Sequence, residues 1–272
     1  MIIGVDIGGT KTLVASFVGG DIVREDKFAT SKDSAAFFAD VLNVLASHTR
    51  NTAPDAISIA APGIIDHHRG MILRCGNLPW QNVPVRQLLR RVYDTHIYIE
   101  NDANLAGLAE AHALPDIPRL CLYLTVSTGI GSGIIINGDI LPALSASEAG
   151  HMSLKKDNSF MIWERSASGK SLNERTGQFA SQIKDAAVWQ DVAERVGTGL
   201  LALIPALQPS VIVIGGSIGG FLDAHWRSAL ETFVSKNLSP YIDQQPILQA
   251  QQPGEAVVYG CRIFAEQRLA AL

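Results

Sequence analysis

The chain opens on an apolar run, Ile2–Ile7, interrupted only by Gly4 and Asp6. A Gly-Gly-Thr-Lys turn and a second apolar run, Thr12–Val18, follow. Short apolar runs bounded by glycine predict strand, turn, strand. Residues 35–46 switch to helical spacing, with Phe38, Val41, Leu42 and Leu45 on one face. "AISIAAPGIID" reads as a buried strand ending on Pro62-Gly63. "IYIENDANLAGLAEAH" reads as a strand, a polar turn and a helix starting near Ala103. "LCLYLTVSTGIGSGIIINGDIL" repeats the opening scheme of strand, glycine turn and strand. Val188, Val192, Val196, Leu200, Leu203 and Leu207 line one face of a long helix. "VIVIGGSIGG" predicts a buried strand ending on glycines, and Val258, Cys261, Ala265, Leu269 and Leu272 line a closing helix. Apolar strands alternating with helices predict an α/β fold with a largely buried sheet.

An internal echo supports duplication. Shifted by 118 residues, the opening stretch lies over "LTVSTGIGSGIIINGDIL" without a gap. Thr10 then falls on Thr128, Gly20 on Gly138, Asp21 on Asp139 and Ile22 on Ile140. Two related lobes, each presenting a glycine turn, are expected to grip phosphates from both sides of a cleft. Glycine lets backbone N–H groups approach a phosphate closely because no Cβ intervenes. Thr10 and Thr128 add hydroxyls, Lys11 adds a positive charge, and Asp6 suits a hydrated Mg²⁺ carried by a nucleotide. Plain hairpins with glycine in tight turns explain either turn alone equally well. The spacing of a Walker loop is absent. A strand rather than a helix follows "TGIGSG", which argues against a dinucleotide fingerprint.

Composition narrows the classes. The 272 residues suffice for one large domain or two lobes. A net charge of −4 argues against broad capture of nucleic acid. Cys75, Cys121 and Cys261 are scattered and odd in number, which points to a reducing compartment and a cytoplasmic protein. Neither a signal peptide nor an apolar run of about 18 residues is visible, so no membrane partner is expected.

"DIGGTK", "APGIID", "GNLPW", "ENDANLAGLAE", "STGIGSG", "SEAGH" and "VIVIGGSIGG" occur here in the order and approximate spacing of the ROK family, which this chain resembles from residue 1 to about 220. The family comprises sugar kinases and related repressors. The resemblance implies the actin-like ATPase fold of sugar kinases: a small lobe, residues 1–104, with the closing helix 258–272 packed back on it, and a larger lobe, 105–257, with a sugar–ATP cleft between them. The repressor branch carries a helix-turn-helix before the first motif. Here that motif starts at the N-terminus, so the expectation is a kinase.

The resemblance implies roles residue by residue. Asp102 would be the base that accepts the sugar hydroxyl proton. On the residues alone, capping of the helix is the favoured reading. Gly63, Asn77, Asn101, Glu148, His151 and Glu164 would contact the sugar together with Asp102. Asn77 also suits a plain turn in "GNLP". Asp6, Gly8, Gly9, Thr10, Lys11, Thr128, Gly129, Gly131, Gly215 and Gly216 would hold ATP, with Mg²⁺ near Asp6. Zinc-bearing relatives place three cysteines just after the His of "GH". None occurs between Cys121 and Cys261, so no zinc is expected. Asp157 and Glu164 could offer oxygens there. Packing of Phe160, Met161, Ile162 and Trp163 is expected to replace the metal in positioning Glu164 and His151.

The leading expectation is ATP-dependent phosphorylation of glucose at its 6-hydroxyl by a homodimer. The alternatives are fructose, mannose or an N-acetylated hexose as acceptor, inorganic polyphosphate as donor, or a non-catalytic sugar sensor.

Overall fold

The computed structural model describes residues 1–50, 52–156, 159–252 and 254–272. The chain divides into two compact units, one of Met1–Ala109 with Gly254–Leu272, the other of Glu110–Pro253.

In the first unit a five-stranded sheet runs in the order Asp21–Ala29, Lys11–Val18, Ile2–Ile7, Ala56–Ala61, His96–Asn101. The first two junctions are antiparallel and the last two parallel. Successive side chains of a strand point to opposite faces. Ile3, Val5 and Ile7 therefore pack with Phe37, Phe38, Val41 and Leu45 of the helix Ser34–His48. On the other face Ile2 meets Ala265 of the closing helix Ala256–Ala270. A Cβ on Gly4 would stand 3.0 Å from Cys261 Cβ, so glycine lets that helix approach. Asp6 shares this face at the carboxyl end of the strand.

The second unit repeats the plan. Its sheet runs Asp139–Ile140, Ile130–Ile136, Leu120–Val126, Val211–Gly215, Ile247–Gln249, again with two antiparallel junctions followed by two parallel ones. The echo extends to the hairpin turns. Gly19 and Gly20 have φ of 61° and 99°, and Asn137 and Gly138 have 50° and 75°. Two successive positive φ values are the signature of the turn that best matches strand twist in a two-residue hairpin. The long helix Ala186–Leu207 buries Val192, Val196, Leu200 and Leu203 against Leu120, Leu122, Leu124 and Val126.

Several sequence expectations need correction. The strand Asp21–Ala29 is invisible to apolar periodicity because it is a charged sheet edge, which protects against edge-to-edge pairing. Leu272 lies beyond the closing helix and is 82% exposed. Residues 160–163 do not form an apolar cluster. Ser153–Lys156 and Ser159–Ile162 make a two-stranded hairpin, which buries little by itself. Phe160 is 76% exposed, and only Trp163 is fully buried. No helix among the described residues is long and apolar enough to cross a membrane.

Candidate functional site

The first unit gathers two carboxylates. Asp102 is the first residue of the helix Asp102–Ala113, directly after the strand His96–Asn101. The helix start is capped by its neighbour. Asn101 Oδ1 accepts from Ala103 N at 2.9 Å and from Asn104 N at 3.2 Å, while Asn101 Nδ2 donates to Gly63 O at 3.2 Å. Asp102 Oδ1 shares the Ala103 N–H, at 2.9 Å, and the Asp102 carboxyl also accepts from its own backbone N–H. Burial raises the Asp102 carboxyl above the usual range. Burial first, and then the Asp102 charge, push Asp6 up to about 7. Neither carboxylate forms an ion pair among the described residues. Two desolvated carboxyls with no resident cation fit a divalent ion such as Mg²⁺.

The junction is braced from behind. Glu100, 2% exposed, accepts from Asn101 N at 2.7 Å and Asn104 Nδ2 at 3.0 Å, and its other oxygen meets His67 Nε2 at 2.9 Å. Gly63 needs to be glycine: its φ is +96°, and a Cβ would fall 2.2 Å from Arg74 O.

The turn at Gly8–Gly9 closes with Gly8 N donating to Lys11 O at 3.1 Å. Glycine is required here by space, since a Cβ on Gly8 would lie 2.6 Å from Lys11 O. Thr10 and Lys11 are exposed. A Cβ on Gly9 would come within 3.1 Å of Asn77 Cβ, so the turn and the exposed Asn77 are neighbours. The loop carrying Asn77 is anchored by the buried Trp80, whose Nε1 donates to Lys32 O at 2.9 Å and whose ring stands 4.7 Å from that of Phe37.

In the second unit three chain turns converge. Ser127 N donates to Gly129 O at 2.9 Å, and Gly169 N to Ser127 O at 2.6 Å. Ser127 Oγ and Ser217 Oγ are 3.1 Å apart. Gly216 has a φ of +85°, and a Cβ there would stand 2.6 Å from Val126 O. Gly215 is equally confined, with Tyr123 Oη 2.6 Å from its virtual Cβ. Beside these turns lies a groove of about 410 Å³, lined among others by Thr128, Lys170, Asn173, Phe179, Ser217 and Phe221. The exposed Phe179 ring, the half-buried Phe221 ring, the exposed Lys170 and glycine-rich backbone can take a flat base and its phosphates. Sequence reasoning missed Lys170, Asn173, Phe179 and Phe221. Only "SGKS" at residues 168–171 offered a signal, a lysine next to a glycine. Gly131 lies inside the strand Ile130–Ile136 opposite Thr125, not in the turn itself.

Glu164 comes to the Gly129 turn. Its Oε2 accepts from Ile130 N at 3.3 Å, and its Oε1 lies 3.6 Å from His151 Nε2. His151 ends the single turn Ala149–His151, where a Cβ on Gly150 would strike Ile130 O. Glu148 directly precedes that turn and is half-buried. Trp163, next to Glu164, donates from Nε1 to Arg195 O at 3.0 Å and fills the space left by Gly199, where a Cβ would lie 2.1 Å from its ring. Glu164 and His151 are thus brought together. Asp157 lies outside the described residues. Cys75, Cys121 and Cys261 are all buried free thiols.

Comparison with known proteins bears on the fold and the family. A putative fructokinase of Bacillus subtilis (strain 168) is 26% identical over 303 residues, covering all of this chain and 97% of the relative. The crystal structure of a ROK hexokinase from Thermus thermophilus matches with a TM-score of 0.82 at 26% identity, covering 100% of this chain and 99% of that one. A ROK glucokinase from Streptomyces griseus, solved with glucose and AMPPNP, matches with a TM-score of 0.81 at 25% identity, over 98% and 99% of the two chains. The expected actin-like ATPase fold is therefore the observed one. Its doubled sheet plan, its two glycine turns and a match of the ROK family profile to residues 2–268 lead to one assignment: the chain belongs to the ROK family.

Proposed function

We propose that this protein is an ATP-dependent sugar kinase that transfers the γ-phosphate of ATP to a hexose hydroxyl, with glucose at its 6-hydroxyl as the first candidate. The observation that carries this reading is the Asp102 carboxyl. It sits at a strand–helix junction where Asn101 accepts from the N–H groups of both Ala103 and Asn104, so the helix start does not depend on Asp102 as its cap. Burial raises its proton affinity toward working pH, which suits a general base. Asp102 would take the hydroxyl proton as the sugar oxygen attacks phosphorus. Asn77, Asn101 through its amide N–H, Gly63, Glu148, Glu164 and His151 would orient the sugar. Asp6, the Gly8–Lys11 turn, Thr128, Gly129, Gly215 and Gly216 would hold the nucleotide, joined by Lys170 and the two phenylalanines of the second unit's groove. Mg²⁺ would be held near Asp6 and would offset charge on the phosphates.

The relatives named above specify different sugars, and fructose, mannose and N-acetylated hexoses are the alternative acceptors. The test is ADP release from Mg-ATP with a panel of these hexoses, repeated with inorganic polyphosphate as donor. Turnover selective for glucose supports the reading. Absence of transfer to every hexose from either donor refutes it.

A further inference from the structure

A groove of about 530 Å³ on the first unit is lined by His68, Arg69, Arg86, Gln87, Arg90 and Arg91. Four guanidiniums meet there on a chain whose formal charge is −4. None of the residues assigned above to sugar or nucleotide lines it.

The groove is built rather than incidental. Arg86 donates from Nε to Ile97 O at 3.2 Å, from Nη1 to His68 O at 2.9 Å and from Nη2 to His67 O at 3.0 Å. A guanidinium has five N–H donors, so Arg86 is fixed in place with two still unused. Gly70, at a φ of +66°, makes the room: a Cβ there would lie 2.5 Å from Arg86 Cβ. Arg90, one helical turn after Arg86, and the adjacent Arg91 are exposed, and their side chains make no ion pair or hydrogen bond among the described residues. Burial, followed by the Arg90 charge, lowers the proton affinity of Arg86, so like charges press on one another here. One carboxylate stands beside the groove. Asp66 accepts from Arg69 N at 2.9 Å and lies 3.9 Å from Arg69 Nε. Asp94 shares a separate depression with Arg90 without forming an ion pair to it.

We propose that this groove binds a small anion carrying two phosphoryl groups. Guanidinium forks match phosphate oxygens in pairs and desolvate more readily than ammonium groups. Four guanidiniums against one carboxylate exceed what a single phosphate neutralises. Two phosphoryl groups bring roughly three to four negative charges at neutral pH, which matches the local excess. The fixed Arg86 lowers the ordering cost of binding, and the free Arg90 and Arg91 can close on the ligand.

The test is calorimetric titration of the full chain without Mg²⁺, using sodium pyrophosphate in one arm and a sugar bisphosphate in the other. An Arg90→Gln/Arg91→Gln variant is compared with wild type and with a Lys184→Gln/Lys236→Gln control. All four replaced side chains are exposed, so folding is not at stake, and circular dichroism verifies this. Wild type is expected to bind one equivalent of at least one probe with a Kd below about 1 mM in about 0.1 M salt. The arginine variant should bind at least tenfold more weakly and the control unchanged. Tighter binding of pyrophosphate assigns the ligand to inorganic anions, and tighter binding of the bisphosphate to organic esters. Equal affinity of wild type and the arginine variant, equal loss in the lysine control, or no saturable binding of either probe overturns the proposal.

Discussion

Asp102→Asn separates chemistry from architecture. The amide keeps an oxygen where Asp102 Oδ1 accepts from Ala103 N at 2.9 Å, and Asn101 continues to cap the helix. The perturbation therefore removes a proton acceptor and a negative charge with little change of shape. Burial raises the Asp102 carboxyl in the folded state, so folding binds its proton more tightly than the unfolded chain does. Its ionised form at neutral pH opposes folding, and the neutral amide lifts that cost. The variant should melt at or above the wild-type temperature at pH 7. Loss of a general base costs about 10²–10⁴-fold in kcat, or about 3–5 kcal/mol of transition-state stabilisation. Affinity for the sugar should change little. A second signature follows from the charge. Asp102 helps push Asp6 up to about 7, so Asp6 should titrate lower in the variant. The assays are steady-state ADP release, calorimetric sugar binding and carboxyl NMR of Asp6. A kcat within a few-fold of wild type, in a folded variant that still binds sugar, would refute the assignment of Asp102 as base.

Three further outcomes are expected. In Mg²⁺-free buffer, the contribution of Asp6 to stability is present below about pH 4 and lost as pH rises toward about 7, because its folded value lies above the ordinary carboxyl value of 3.8; urea midpoints of Asp6→Asn should accordingly fall less across that window than those of wild type. Gly199→Ala drives a Cβ into the Trp163 ring and should cost about 1–3 kcal/mol by denaturant melting. Because Glu164 follows Trp163 in the chain, the KM for sugar should rise more than kcat falls. Lys170→Met removes the cation lining the second unit's groove and should weaken nucleotide binding about tenfold while leaving sugar binding unchanged, by calorimetry; equal effects on both ligands would remove Lys170 from the nucleotide site.

Much of the fold was legible because it is written in short-range pattern. Apolar runs ended by glycine marked the strands Ile2–Ile7, Ala56–Ala61 and Val211–Gly215, and the spacing of Val192, Val196 and Leu200 marked the long helix. The gapless echo between the two glycine turns anticipated two related lobes; the matching strand order and the paired positive-φ hairpin turns came from the structure. Pattern failed where burial is decided by distant partners. The strand Asp21–Ala29 carries an edge's charges and lacks a core's alternation. Phe160 and Trp163 look alike in sequence, yet one is exposed and the other buried, because Gly199, on another helix, leaves a hole for only one of them.

The site divides the same way. The residue types of "DIGGTK", "ENDAN" and "SEAGH" were readable from the chain. Whether Asp102 or Asn101 caps the helix was not, because the answer depends on which side chain reaches Ala103 and Asn104. Tertiary structure alone set the proton affinities, since burial and the approach of Asp6 to Asp102 have no local signature. It alone brought Glu164 to the Gly129 turn and Lys170 to a groove with Phe179 and Phe221. It likewise gathered Arg69, Arg86, Arg90 and Arg91 from a β-turn and a short helix into one basic surface. Local sequence specifies backbone conformation and which faces are apolar. Only packing specifies which distant side chains share a dielectric environment, and the chemistry depends on that.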